Sequence, residues 1–274
     1  MKTAIEAPEW KALLPWPGPD AHKHARGRLG VVTGPATRTG AARLAARAGL
    51  RVGAGVVTLL CPTDAAQVLA PAVEAVMMAP FGDPAALFEA AKGMNAAVIG
   101  PAAGLDQATI DNLHALARTT ATLIVDADGL SVFEGRSELL FDLLSPRDVL
   151  TPHEGEFRRL LPGLLDLGRE AGALEAARLA GCVVVLKGRE TVIAGPDGRI
   201  RINANGTPWL ATAGTGDVLA GIIGGLIAQG MDSVEAATAG VWIHAEAARA
   251  FGPGLIAEDL PDLLPAVLAS LYPG

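Results

Sequence analysis

The stretch Arg28–Pro62, RLGVVTGPATRTGAARLAARAGLRVGAGVVTLLCP, decides the fold. RLGVVTG is a short β run ended by Gly34 and Pro35, AARLAARAGLRVG (41–53) is a small-residue helix, and GVVTLLCP (55–62) is a second strand. Strand, helix, strand is the signature of a βαβ unit and a parallel sheet. The rhythm continues through a helix near 64–70, the apolar AVMMA (75–79), a helix over 84–92 and the strand AAVIG (96–100). Next come a helix over 107–118, the strand TLIVDAD, a short helix near Leu130, the strand RDVL, helices over 154–160 and 167–180, and the strand CVVVLKG. TVIAGPDGRIRIN reads as a hairpin about Gly195-Pro196-Asp197-Gly198, and three helices close the chain. No linker or charge block interrupts this pattern. The expectation is one α/β, doubly wound, mostly parallel sheet flanked by helices on both faces over 27–274, with a Pro- and Trp-rich arm over 1–26.

The chain has 22 Lys and Arg against 29 Asp and Glu, a net charge of −7, which argues against nucleic acid as a partner. Cys61 and Cys182 lie in apolar runs without a Cys-x-x-Cys or Cys/His cluster, so they read as buried free thiols in a reducing compartment. There is no secretory leader pattern and no run of about 18 apolar residues, so no membrane span is expected and the cytoplasm is the default.

Open α/β sheets bind ligands beyond the carboxyl ends of their strands. Those ends read TGPATRTGAA, GPAAGLD, DADGL, TPHEGE and KGRET, and a further loop, TAGTGD, opens the apolar run VLAGIIGGLIAQ. In that loop Ala213, Gly214, Thr215 and Gly216 let backbone N–H groups approach an anion at a helix start. Asp217 has two readings, a first-turn acid that stabilises the helix or a general base beside a phosphoryl group, and this stretch leaves both open. The loops lack G-x-G-x-x-G, a P-loop, H-E-x-x-H, G-x-S-x-G and the kinase H-R-D set.

Taken together, HKHARG, TGAA with GLRVGAGVVTL, GPAAG, DADGL, TPHEGEFRRLL, VVVLKGRET and GTGDVLAGIIGGLIAQG resemble the ADP- or ATP-dependent NAD(P)H-hydrate dehydratases of the ribokinase-like superfamily. The resemblance runs from His22 to about Phe251. GTGD alone marks the superfamily; TPHEGE, KGRET and TGAA select the dehydratase branch.

The resemblance implies that hydrated NADH or NADPH (NADHX, NADPHX) is returned to the dihydronicotinamide. A nucleotide, ADP or ATP, phosphorylates the ring hydroxyl, and phosphate then leaves. Asp217 would be the base, and the amides of Ala213, Gly214, Thr215 and Gly216 would hold the transferred group. The family's hydrate contacts map onto Ala41, Gly104, His153 and Asp217. Its adenine-nucleotide contacts map onto Lys187, Gly188, Arg189, Glu190, Thr191 and Gly216. Lys187 is read either as a phosphate neutraliser or as a solvated strand-end lysine. Asp126 and Asp128 are read as structural turn acids before a magnesium and water network, and His114 and His244 as packing or surface residues. The first loop departs from the family's usual G-G-S and aromatic-T-G pattern, having Gly34-Pro35-Ala36 and Arg38 before Thr39 and Gly40.

Mg2+ is expected from phosphoryl transfer rather than from a ligand motif. Many bacterial relatives carry a fused epimerase, for which this length leaves no room, so that a separate protein or a longer natural chain would supply it. The family resemblance implies a homo-oligomer, often a tetramer, and a small-residue helix such as AARLAARAGL fits an intersubunit face as well as an internal one. Two other readings stay open: a superfamily kinase for a hydroxymethylpyrimidine, thiazole alcohol or sugar, and a catalytically silent nucleotide sensor.

Overall fold

A strand covered on both faces needs apolar side chains throughout, and its two-residue period sends alternate ones to opposite cores. In the computed structural model, which describes residues 9–273, β1 (Arg28–Val32) sends Leu29 and Val31 to one core and Val32 to the other. β2 (Val56–Pro62) divides Val57, Leu59 and Cys61 from Leu60, and β4 (Ala96–Ile99) divides Ala96 and Val98 from Ala97 and Ile99. β5 (Thr122–Val125) and β7 (Val183–Leu186) follow the same rule. Each fully buried Leu or Val contributes about 1.5–3 kcal/mol.

With β3 (Met77–Phe81), β6 (Val149–Leu150), β8 (Thr191–Ala194) and β9 (Ile200–Asn203), the strands form one sheet in the order β3-β2-β1-β4-β5-β6-β7-β8-β9. β3 through β7 are parallel to their neighbours; β8 and β9 are antiparallel and make the expected hairpin. α1 (Gly40–Arg51) joins β1 to β2, and α2 (Ala66–Leu69) follows β2. α3 (Pro84–Ala91), α4 (Gln107–Ala117), α5 (Asp128–Ser131), α6 (Ser137–Phe141), α7 (Glu154–Leu160) and α8 (Arg169–Ala180) come before the hairpin. α9 (Thr215–Ala228), α10 (Ser233–Phe251) and α11 (Leu260–Leu271) come after it. Residues of α1, α9, α10 and α11 fill one core, and residues of α3, α4, α7 and α8 fill the other.

Two boundaries differ from the sequence reading. The third strand starts two residues later than AVMMA and takes in Pro80, which an edge strand tolerates because only one side needs a ladder donor. The five-residue α6 was not expected; SELLF is too short to show a helical period. The small-residue face of α1 is internal: Ala42, Ala45, Ala46, Ala48 and Gly49 are buried, and α1 lies against α9. The two backbones come so close that a methyl group on Gly221 would lie 2.1 Å from the carbonyl oxygen of Ala45. From the arm, Trp10 is buried against Trp242, with ring centroids 5.5 Å apart, and Trp16 meets the edge of Tyr272; residues 1–8 of the expected arm lie outside the described residues.

Sheet order reverses between β1 and β4, and α9 packs on β1, β4 and β5. The helix that opens with the GTGD turn therefore crosses the switch point, where ligands bind in such sheets.

The α1–α9 contact makes a direct test. Ala in place of Gly normally helps a helix by up to about 1 kcal/mol, but Gly221→Ala should cost about 1–3 kcal/mol through overpacking. Gly40→Ala, at the open first position of α1, should be neutral or stabilising. Urea unfolding of the two variants reads the difference.

Candidate active site

Parallel strands place their carboxyl ends along one edge, and hydrogen bonds tie neighbouring loops there. The Gly104 amide donates to Asp128 Oδ2 at 2.8 Å, joining the loops after β4 and β5. The Thr151 amide donates to the Val125 carbonyl and the Lys187 amide to the Pro152 carbonyl, joining the loops after β5, β6 and β7. Ala41 lies half-buried in the first turn of α1.

α9 enters this edge with Gly214 as its N-cap at φ +90°, a left-handed conformation that disfavours a side chain. No side chain caps the helix, so the amides of Thr215, Gly216 and Asp217 keep their donors, and the helix dipole adds positive potential. Thr215 Oγ1 pins the turn through the carbonyls of Leu210 and Thr212, at 2.9 and 3.1 Å. Free amides at a helix start can receive an anion.

Asp217 is in the first turn of α9, yet its carboxyl is pushed up from the ordinary 3.8 to about 7. Burial is the main cause; the Asp126 and Asp128 carboxylates add to it and Lys187 opposes it. An acid that served only the helix dipole would have its pKa lowered, so the helix-stabilising reading of Asp217 is the weaker one.

Lys187 is neither solvated nor isolated. Its Nζ donates to Asp126 Oδ1 at 2.8 Å, with one-fifth of the lysine side chain and 2 % of the aspartate side chain exposed. Burial works to discharge the ammonium, but Asp126, Glu156 and Asp217 outweigh it and hold its pKa above the ordinary lysine value. One of three N–H donors goes to Asp126, and the others can serve an anion. Asp126 and Lys187 also flank Gly216, where a methyl group would lie 3.8 Å from Asp126 Oδ2 and 3.5 Å from Nζ.

His153 is the exposed N-cap of α7. Its Nδ1 accepts from the amides of Gly155 and Glu156, and Glu156 accepts from the His153 amide, a reciprocal capping box. This places the ring proton on Nε2. Gly188, Arg189 and Glu190 form an exposed turn between β7 and β8, while Thr191 is buried and donates its hydroxyl to the Gly188 carbonyl. Ala213 is exposed.

Sequence reasoning missed how two residues take part. Arg169, the first residue of α8, donates to the main chain of the Lys187–Glu190 turn. An arginine where the helix dipole favours an acid was the available signal. His244 packs beneath the GTGD turn beside Thr215; burial drives its pKa down to about 4, so it is neutral. His114, His22 and His24 are exposed, and Cys61 and Cys182 are buried free thiols, as expected.

The sequence profile of the NAD(P)H-hydrate dehydratases matches residues 29–266. The chain belongs to this family. It is 34 % identical to the ADP-dependent (S)-NAD(P)H-hydrate dehydratase of Xanthomonas campestris, over 95 % of this chain and 94 % of that one. It is 38 % identical to the bifunctional NAD(P)H-hydrate repair enzyme of Salinibacter ruber, over 94 % of this chain and 51 % of the relative. The chain thus spans about half the length of the bifunctional relatives it matches. The ADP/ATP-dependent NAD(P)H-hydrate dehydratase of Bacillus subtilis, crystallised with ATP and Mg2+, superposes with a TM-score of 0.82 at 27 % identity, covering 96 % of each chain. The dehydratase resemblance and the ribokinase-like fold are both borne out.

The shifted carboxyl has a consequence for stability. Because the folded pKa of Asp217 lies above its unfolded value, its contribution is fully present below about 4 and is lost as pH rises towards 7. Asp217→Asn, neutral throughout, should therefore gain thermal stability over the wild type progressively across that window and hold a constant gain above it. Thermal melts from pH 4 to 9 check this.

Proposed function

We propose that the chain restores hydrated NADH or NADPH, the (6S)-hydrates, by nucleotide-dependent dehydration, a metabolite repair. The observation that carries this reading is a carboxylate of pKa about 7 in the first turn of an uncapped helix, beside a charged lysine.

Asp217 takes the proton of the ring hydroxyl as its oxygen attacks the terminal phosphorus of the nucleotide. The new O–P bond replaces the bond from that phosphorus to the bridging oxygen, so AMP leaves from ADP, or ADP from ATP. The amides at Ala213–Gly216 and Lys187 Nζ hold the charge that develops on the transferred group, the principal protein contribution to such a step. The ring nitrogen's lone pair then expels phosphate by breaking the C–O bond, and loss of a proton from the adjacent carbon restores the double bond. With ADP the products are the dihydronicotinamide, AMP, phosphate and a proton. Ala41, Gly104 and His153 would line the hydrate, and Gly188–Thr191 the nucleotide.

Among the described residues no cluster of three His, Cys, Asp or Glu side chains is arranged to hold a metal. The donor set nevertheless fits Mg2+ carried in on nucleotide phosphates, since magnesium keeps several waters and needs only one or two carboxylates; Asp126 and Asp128, whose charges act on Asp217, could supply them. When bound, the ion would neutralise phosphate charge. No helix among the described residues is long and apolar enough to cross a membrane. A cytoplasmic homo-oligomer and a partner epimerase, separate or fused, complete the proposal.

The test is recovery of near-ultraviolet dihydronicotinamide absorbance from hydrated NADH with ADP or ATP and magnesium. Recovery should require nucleotide, and Asp217→Asn should lower kcat by about 10²–10⁴-fold. A stable phosphorylated product without dihydronicotinamide would mark a kinase instead.

The same assay reads the base directly. For the wild type, kcat/KM should fall on the acid side with an apparent pKa near 7, because protonated Asp217 cannot accept the hydroxyl proton. A flat profile from pH 5 to 8 would count against Asp217 as the base.

A further inference from the structure

Arg169 is the first residue of α8, outside the strand-end loops, yet its guanidinium reaches into the edge where they meet. Nη2 donates to the main-chain carbonyls of Leu186, Lys187 and Glu190, at 3.1, 3.2 and 3.0 Å. Nη1 donates to the carboxylate of Glu154, the residue that follows His153 and opens α7. One planar group therefore ties the turn that carries Lys187, Gly188, Arg189 and Glu190 to the start of the helix capped by His153.

The turn has few other restraints. Gly188, Arg189 and Glu190 are exposed, and besides β7 and β8 at its ends the turn is held by the Thr191 hydroxyl, which donates to the Gly188 carbonyl at 3.3 Å. Three carbonyls drawn to one cation fix its backbone, because charge-assisted bonds in a fixed fork restrain both direction and distance. Gly188 makes room for that fork: a methyl group there would lie 2.5 Å from Nη2.

We propose that Arg169 is a positioning residue for the adenine nucleotide: it holds the 187–190 turn in its binding conformation and locks it to α7 through Glu154. The inference rests on the nucleotide assignment of that turn made above. A lysine cannot replace it, since one ammonium cannot span three carbonyls and a carboxylate in this geometry.

Calorimetric titration of the full chain with ADP and steady-state kinetics with hydrated NADH test this together. Arg169→Ala should weaken ADP binding by about tenfold or more and raise the nucleotide KM in parallel. It should leave kcat at saturating nucleotide within about twofold of the wild type, a split that general loss of folded protein would not give. Arg169→Lys should not restore affinity. An unchanged ADP Kd in Arg169→Ala, or full rescue by lysine, overturns the proposal. Should Arg169→Ala fail to fold, Glu154→Ala removes only the α7 side of the bridge. A rise in ADP Kd of about threefold then supports the proposal and an unchanged Kd overturns it. A wild type that binds ADP without repairing hydrate would sink the dehydratase reading while the Kd comparison still decides the role of Arg169. A wild type that repairs hydrate, with Arg169→Ala matching it in nucleotide KM, sinks the role of Arg169 alone.

Discussion

The ion pair between Asp126 and Lys187 is the constraint on which the site depends. A carboxylate buried as deeply as Asp126 would cost several kcal/mol without a partner, and Lys187 is that partner, reaching it from the end of β7, two strands away in the sheet. The lysine's attraction is thereby shared. Asp217, close to both, gains too little from Lys187 to offset its own burial and the repulsion of Asp126 and Asp128. A lysine paired to Asp217 alone would make it an ordinary acid and a feeble base; the shared pair leaves it titrating near the pH at which a base is most useful.

The fold supplies the geometry by breaking local rules at the same edge. α9 is buried along most of its length, but it starts without a side-chain cap and carries its one carboxyl in the first turn. Ala127 sits at φ +49°, ψ −119°, a conformation that costs an alanine about 1–3 kcal/mol. That twist separates two neighbouring acids, sending Asp126 to Lys187 and Asp128 to the Gly104 amide. Such concentrations of strain, burial and unpaired donors are expected where a site is built rather than where a core is packed.

Much of the sheet was legible in the sequence because strands buried on both faces leave continuous apolar runs, whereas the small residues of α1 fitted an intersubunit face as well as the internal contact with α9. The GTGD turn was readable from its lack of side chains as a helix start with free amides, and the structure gives it no side-chain cap. Lys187 was not resolved between two readings, since its partner lies 61 residues away and only the register of β5, β6 and β7 brings them together. Arg169 offered only a cation at a helix start as its signal, because three of its four partners are main-chain carbonyls, which carry no residue signature. His153 gave a motif but not its tautomer, which follows from the capping box.

In the proposed repair the ring hydroxyl oxygen, freed of its proton by Asp217, is passed to phosphorus before it leaves. Hydrated NADH prepared in ¹⁸O water, turned over with ADP or ATP in ordinary water, tests this directly when the released phosphate is examined by mass spectrometry. The expected result is ¹⁸O in inorganic phosphate in a one-to-one ratio with restored dihydronicotinamide. Label found in water, with unlabelled phosphate, would mean that the hydroxyl leaves without ever being phosphorylated and would contradict the account.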